Sequence, residues 1–226
     1  MLTAELHCHT ARSHDGRGTV EEWLVAAREA GLDVLAITDH DAIENSLAAV
    51  ELAADYGLTA IPGIEISSAD GHVLGLGTDE VVPAGHSFER TVEWIHDQGG
   101  VAIVPHPYQK LRKGVLTNVE EADLTRADAI EVCNSRFLTG RTNRKARQLA
   151  AELSMPVTAG SDAHVPSMVG KAATVIDADP NRSSVLEAIR TGRTTIDGGR
   201  TPLQITLRQA AGTARRRITT IFGGWR

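Results

Sequence analysis

The chain is poor in the features that would commit it to several common classes. Cys8 and Cys133 are its only cysteines in 226 residues, so it offers neither a disulfide framework nor a CxxC zinc pair, and both thiols are expected to pack as small buried side chains. So little cysteine suits a reducing compartment, and the expected location is the cytoplasm. No run of about 18 apolar residues occurs, so no membrane span is expected. The N-terminus reaches Glu5 and His7 without the basic-then-apolar order of a leader. There is no Gly-x-Ser-x-Gly elbow and no Gly-x-x-x-x-Gly-Lys-Ser/Thr loop, so neither a serine nucleophile of that kind nor a P-loop nucleotide site is expected. No repeat of 20 to 50 residues and no low-complexity tract interrupts the body.

What is present is an ordinary globular composition, 42% hydrophobic and 23% charged, in a chain long enough for a substantial core. The formal net charge of -6 gives no global reason to expect nucleic-acid binding. It also conceals an asymmetry. Residues 200–226 carry six arginines and no acid, which leaves -12 on residues 1–199. We therefore expect one domain over residues 1–199, whose acidity suits the holding of cations. The Arg-rich tail, 200–226, is expected to be partly helical or packed on that domain, with polyanion or subunit binding as the other use of its charge.

Short apolar runs alternate with helical patterns, as in βα units around a parallel sheet. Strands are expected at 4–10, 34–38, 59–67, 72–77, 101–104, 129–133, 157–159 and 173–176, with a short last one at 194–196. Helices are expected from Thr19, a threonine N-cap followed by Glu21 and Glu22, to Gly31, and at 46–56, 87–98, 119–124, 141–153 and 183–191. Six or seven βα units in about 200 residues imply a compact or incomplete barrel.

The chemistry sits at the strand ends. His7 and His9 are two apart, so on an extended strand both rings share a face. Asp39-His40-Asp41 closes the second strand, Glu65 the third, His106-Pro107 a later one, and Asp162-Ala163-His164 follows the strand near Val157. In parallel α/β architectures these ends share one rim, where active sites are built. Imidazole and carboxylate together suit zinc, manganese or iron, whereas magnesium and calcium sites are mostly oxygen. So many acids crowded together also demand cations, because neighbouring carboxylates cannot all ionise unaided.

These residues, in this order, resemble the polymerase and histidinol phosphatase (PHP) superfamily. The resemblance is carried by His-Cys-His-Thr (7–10), Ser-His-Asp-Gly (13–16), Ile-Thr-Asp-His-Asp (37–41), Pro-Gly-Ile-Glu-Ile-Ser (62–67), His-Val-Leu-Gly-Leu (72–76), Val-Pro-His-Pro (104–107) and Gly-Ser-Asp-Ala-His (160–164). It implies an α/β fold, a distorted (β/α)7 barrel with the metal site at the C-terminal ends of the strands. It further implies nine metal ligands, His7, His9, Asp15, His40, Glu65, His72, His106, Asp162 and His164, holding two or three divalent ions (Mn, Zn or Fe). On that pattern His7, His9, Glu65 and Asp162 take one ion, Glu65 bridges to a second with His72 and His106, and Asp15, His40 and His164 take a third. His14 competes with Asp15 for its place.

Asp39 and Asp41 flank His40 and are expected to accept hydrogen bonds that fix a ligand's tautomer. Asn134 ends a rim strand and either touches metal or substrate or forms a turn. Arg136, Arg141, Lys110 and Arg112 follow rim strands and could clamp a phosphate. His86 and His96 receive no role. The expected activity is hydrolysis of a phosphomonoester or nucleotide phosphodiester by metal-activated water, on a small phosphorylated molecule or nucleotide. The alternatives are oligonucleotide trimming and a catalytically silent metal-binding module.

Overall fold

A computed structural model describes residues 1–136 and 140–198; the Arg-rich tail expected over 200–226 lies outside the described residues. Among the described residues, ten strands form two five-stranded sheets. In the first, β1 (Leu2–Glu5) pairs in parallel with β2 (Val34–Leu35), which pairs in parallel with β3 (Thr59–Ala60). The other edge of β1 carries β9 (Ala172–Ile176), and β9 carries β10 (Thr194–Gly198), both pairings antiparallel. In the second sheet β4 (Gly63–Ser67), β5 (His72–Leu76) and β6 (Val101–Val104) pair antiparallel, while β6, β7 (Ala129–Asn134) and β8 (Val157–Gly160) run parallel.

Five α-helices among the described residues cover the sheets: α1 (Val20–Glu29), α2 (Glu44–Leu52), α3 (Phe88–Asp97), α4 (Arg141–Glu152) and α5 (Arg182–Arg190). The start of α1 follows from its sequence, for Thr19 and Glu22 form a reciprocal capping box. Its buried face, Trp23, Leu24 and Ala27, then packs on the first sheet's cluster, where full burial of Leu24 contributes about 2 kcal/mol. The segment expected as one helix over 46–56 is α2 followed by a 3-10 turn, Ala53–Tyr56, that closes on left-handed Gly57. The stretch expected near 119–124 is also a 3-10 helix, Glu121–Arg126.

The strand pairing differs from expectation in two places. The ladders do not form a closed barrel among the described residues, and the run expected as one strand over 59–67 is divided between the sheets as β3 and β4. Pro62 sits at the division, and a proline has no N–H to donate to a ladder. The 72–77 segment is likewise not a parallel unit but the return arm of a hairpin with β4. The sheets still touch, through two isolated parallel bridges, His40 with Glu65 and Cys8 with Ala163. Backbone bonds hold these seams: Glu65 N donates to Asp39 O at 3.1 Å, Asp41 N to Glu65 O at 3.0 Å and His9 N to Ala163 O at 2.8 Å. Both seams therefore run through the histidine- and acid-rich segments.

Candidate metal centre

Strand alternation places the central acid. Ile64 and Ile66 of β4 enter the apolar cluster with Phe88, Val92 and Ile95 of α3, so Glu65 between them faces the other way. There its Oε2 lies 3.2 Å from His9 Nε2, 3.2 Å from His40 Nδ1 and 3.5 Å from His7 Nε2. Its Oε1 lies 2.8 Å from His72 Nδ1 and 3.2 Å from His106 Nε2. Asp162 Oδ1 is 3.7 Å from His9 Nε2 and 3.4 Å from His164 Nδ1, while Asp15 Oδ2 is 2.9 Å from His164 Nε2 and its Oδ1 3.8 Å from His40 Nε2. One network thus gathers all nine residues named from the sequence. His14, Asp15 and His40 also present donor atoms within 4.8 Å of one another, but His14 is exposed, whereas Asp15 lies 2.9 Å from His164 Nε2.

The backbone is bent to achieve this. Asp41, His106 and Asp162 adopt φ of 52°, 32° and 49°, left-handed values that cost a non-glycine residue roughly 1 kcal/mol or more. At Gly160 a Cβ would come within 2.5 Å of His7 Cβ and 2.7 Å of Glu131 Oε1, so only glycine lets β8 approach the site this closely. His72 reaches the rim from the start of its strand because β5 is antiparallel: its register partner is Ser67, at the end of β4.

A further layer of side chains holds the imidazoles from behind. Glu131, buried in β7 and not singled out from the sequence, accepts at Oε1 from His7 Nδ1 (2.9 Å) and at Oε2 from the His106 amide (3.0 Å) and Asn134 Nδ2 (3.0 Å). Asp39 touches no imidazole. It accepts from the Thr10 amide and hydroxyl (2.8 and 2.6 Å) and from Ser13 Oγ (2.6 Å), and Ser13 Oγ in turn accepts the His40 amide (3.0 Å) and lies 3.3 Å from His9 Nδ1. Asp41 accepts the Ser67 amide at 2.6 Å. Glu5, wholly buried below His7, accepts the His7, Ser161 and Gly170 amides; burial pushes its carboxyl up to about 7 against those bonds.

Above the network lies a cavity of about 640 Å³, lined by His14, Asp15, His40, Asp41, Glu65, Ser67, His72, His106, Leu111, Lys113, Arg136, Asp162 and His164. Arg136 Nη1 donates to Asp162 Oδ1 at 3.1 Å. Lys110 and Arg141 are exposed and stand outside this lining, where Lys113 is found instead; the Arg112 side chain lies outside the described residues.

The electrostatics follow from burial against charge. Burial raises the pKa of Glu65, but His72, His40, His7 and His106 outweigh it and hold the carboxyl well below its usual range. Asp15 is also lowered, its burial overcome by His164, His9 and His40. Burial and His164 keep His9 well below an ordinary histidine, whereas Glu131 and Glu65 overcome burial and hold His7 well above one. His7 Nε2, His9 Nε2 and His72 Nδ1 are buried and converge on Glu65 at 3.5, 3.2 and 2.8 Å without well-formed hydrogen-bond geometry. Buried polar groups so poorly satisfied cost on the order of 1–3 kcal/mol each, and a cation shared with Glu65 would satisfy them. The donor set fits divalent metal.

Such a site on a mixed α/β fold has the donor set to hold divalent ions. Comparison with known proteins gives the family. Residues 140–194 match the family model described as PHP-associated. An uncharacterized protein of Methanocaldococcus jannaschii is 36% identical over 155 residues, covering 64% of this chain and 89% of that protein. The phosphoribosyl 1,2-cyclic phosphate 1,2-diphosphodiesterase of Eggerthella lenta is 40% identical over 89 residues, 37% of this chain and 34% of that enzyme. Among solved structures, a two-domain Bacteroides vulgatus protein containing a predicted PHP-like metal-dependent phosphoesterase superposes with a TM-score of 0.70 at 20% identity, over 88% of this chain and 65% of that one. The chain belongs to the PHP superfamily. No helix among the described residues is long and apolar enough to cross a membrane.

Proposed function

We propose that residues 1–199 form a phosphoesterase that hydrolyses a phosphomonoester or a nucleotide phosphodiester with two or three divalent ions. We read the two sheets as halves of a distorted (β/α)7 barrel joined at the seams that carry the site. The observation that carries the functional reading is the division of Glu65: its Oε2 faces His7, His9 and His40 while its Oε1 faces His72 and His106, as suits a carboxylate shared by two ions. His7, His9, Glu65 and Asp162 would hold one ion, Glu65, His72 and His106 a second, and Asp15, His40 and His164 a third.

Bound ions would supply Lewis acidity, neutralising phosphoryl oxygens and lowering the pKa of water toward neutrality. The chain's own residues do the rest. Glu131 fixes His7 with Nδ1–H directed at the carboxylate and Nε2 left free as a donor atom toward the centre. Arg136 and Lys113 line the cavity, where they face an incoming phosphate and compensate its charge. Two buried free cysteines, Cys8 and Cys133, suit a reducing compartment, and we place the protein in the cytoplasm.

The test joins metal analysis of the purified protein to phosphate release from p-nitrophenyl phosphate, bis-p-nitrophenyl phosphate and mononucleotides with added manganese. Bound transition metal, and release that His9→Ala and Asp162→Asn both abolish, is the expected result. Absence of metal together with no release from any ester would overturn the reading.

A further inference from the structure

The arginine–carboxylate pairs Arg12–Glu44, Arg90–Glu93, Arg126–Glu89 and Arg182–Asp79 join surface side chains, where such pairs contribute little. Arg136–Asp162 is of another kind. Its carboxylate is 4% exposed and its guanidinium side chain 18%, and the carboxylate belongs to the proposed metal centre. Arg136 Nη1 lies 3.1 Å from Asp162 Oδ1, and 3.1 and 2.9 Å from Nδ1 and Nε2 of His164. Near-equal distances to both nitrogens of one ring set the guanidinium against that ring and not in line with a single lone pair.

These are contacts that a bound ion would contest. Asp162 Oδ1 is also 3.7 Å from His9 Nε2 and 4.0 Å from His7 Nε2, so the oxygen that Arg136 holds is the one nearest the inner imidazoles. His164 Nε2 lies 2.9 Å from Asp15 Oδ2, so the ring that Arg136 covers is the one that meets the outer carboxylate. A guanidinium carries a permanent positive charge, has no lone pair to offer, and repels a divalent cation drawn to the same atoms. The two cannot hold these donors together at full strength. The main chain need not move for the arginine to leave. Its amide donates to Asn134 Oδ1 at 3.1 Å, and Asn134 is fixed in turn by Glu131, whereas the side chain lines the cavity of about 640 Å³ and has that space to turn into.

We propose that Arg136 is a displaceable counter-cation of the metal centre. It compensates Asp162 and covers His164, yields both to a divalent ion, and turns into the cavity, where its fork of N–H donors takes the anion of the substrate. Binding is then ordered and coupled. The guanidinium is free for phosphate once it has given up Asp162 and His164, and a phosphate that holds it away from them tightens ion binding by the same factor. Arg136 thus acts as a positioning residue for metal and as a contact for substrate, in succession. The inference rests on the ligand assignments of the phosphoesterase reading.

The test uses the full chain, freed of its exchangeable ion by a weak chelator and titrated in a calorimeter with manganese and then with inorganic phosphate. Arg136→Gln removes the competitor and takes a positive charge away from a buried carboxylate, so manganese should bind about tenfold more tightly than to the wild type. Added manganese should also raise the melting temperature of the variant by more. Phosphate should bind the manganese-loaded variant about tenfold more weakly. Opposite signs are the signature, because a residue that only supports the cavity would weaken both. Lys113→Gln removes another cation of the cavity wall and is the comparison: it should weaken phosphate and leave manganese binding much less changed. Manganese that binds Arg136→Gln no more tightly than the wild type, an equal gain in Lys113→Gln, or unchanged phosphate affinity would overturn the inference while leaving the hydrolase reading in place. A wild type that binds no transition metal would overturn that reading, and this inference with it.

Discussion

Around Glu65, the side chains of His7, His9, His72 and His106 are all buried, and several are tied from behind: Glu131 holds His7 and the His106 amide, Asn134 holds Glu131, and Ser13 lies against His9. Around Asp15 and His40 the side chains are half-buried, and His14 beside them is exposed. The difference separates a preorganised interior from an accessible edge. Donors fixed before an ion arrives lose little freedom in binding it, so the inner pair of proposed ions should be retained and the outer one exchanged.

Glu65→Ala should have the largest effect, because this carboxylate faces both halves. Metal content should collapse and phosphate release should fall to background, read by elemental analysis and by initial rates. Retention of every ion in that variant would break the assignment of Glu65 as the shared ligand. Glu131→Gln comes next. It keeps the shape but removes the charge that holds His7 Nδ1–H, and loss of such a partner costs roughly 10- to 100-fold in metal affinity or activity. Asp15→Asn should do less. It should lower the bound stoichiometry by one ion and leave the rest in place during dialysis against a weak chelator. If it empties the whole site, the two halves are not distinct.

The sequence made most of the inner residues legible because they recur near strand ends, although Glu65, expected to close its strand, is the middle residue of β4, and His72 is the first of β5. His7 and His9 lie beyond the ladder of β1, which stops at Glu5, yet they remain extended and share a face. The closure of the fold was less legible, because a single Pro62 turns one apolar run into strands of two sheets. His72 looked misplaced at the start of its strand, since strand direction is a property of pairing and not of local sequence. Glu131 was hidden for a different reason. Strict alternation puts Glu131 and Asn134 on opposite faces, but a register shift between Glu131 and Cys133 lets Asn134 reach Glu131. An acid inside the apolar run Ala-Ile-Glu-Val-Cys was the available signal. The cavity lysine was missed because the loop after His106 turns through a left-handed Lys113, which places that residue, and not Lys110, in the wall.

The smallest effect is expected at Ser13, an uncharged side chain that also touches both halves. Ser13 Oγ donates to Asp39, accepts the His40 amide and lies against His9 Nδ1, all at a buried position. Ser13→Ala leaves the His40 amide without that acceptor and Asp39 Oδ1 with only the Thr10 amide, which should cost about 1–2 kcal/mol in chemical denaturation. Its effect on metal should fall short of the roughly 10-fold minimum expected at Glu131, because no ligand charge changes. The distribution of that loss is the sharper reading. Weakening confined to the exchangeable ion would mean that Ser13 acts through the His40 backbone; equal weakening of all ions would mean that its contact with His9 matters as much and that the halves are coupled through one hydroxyl.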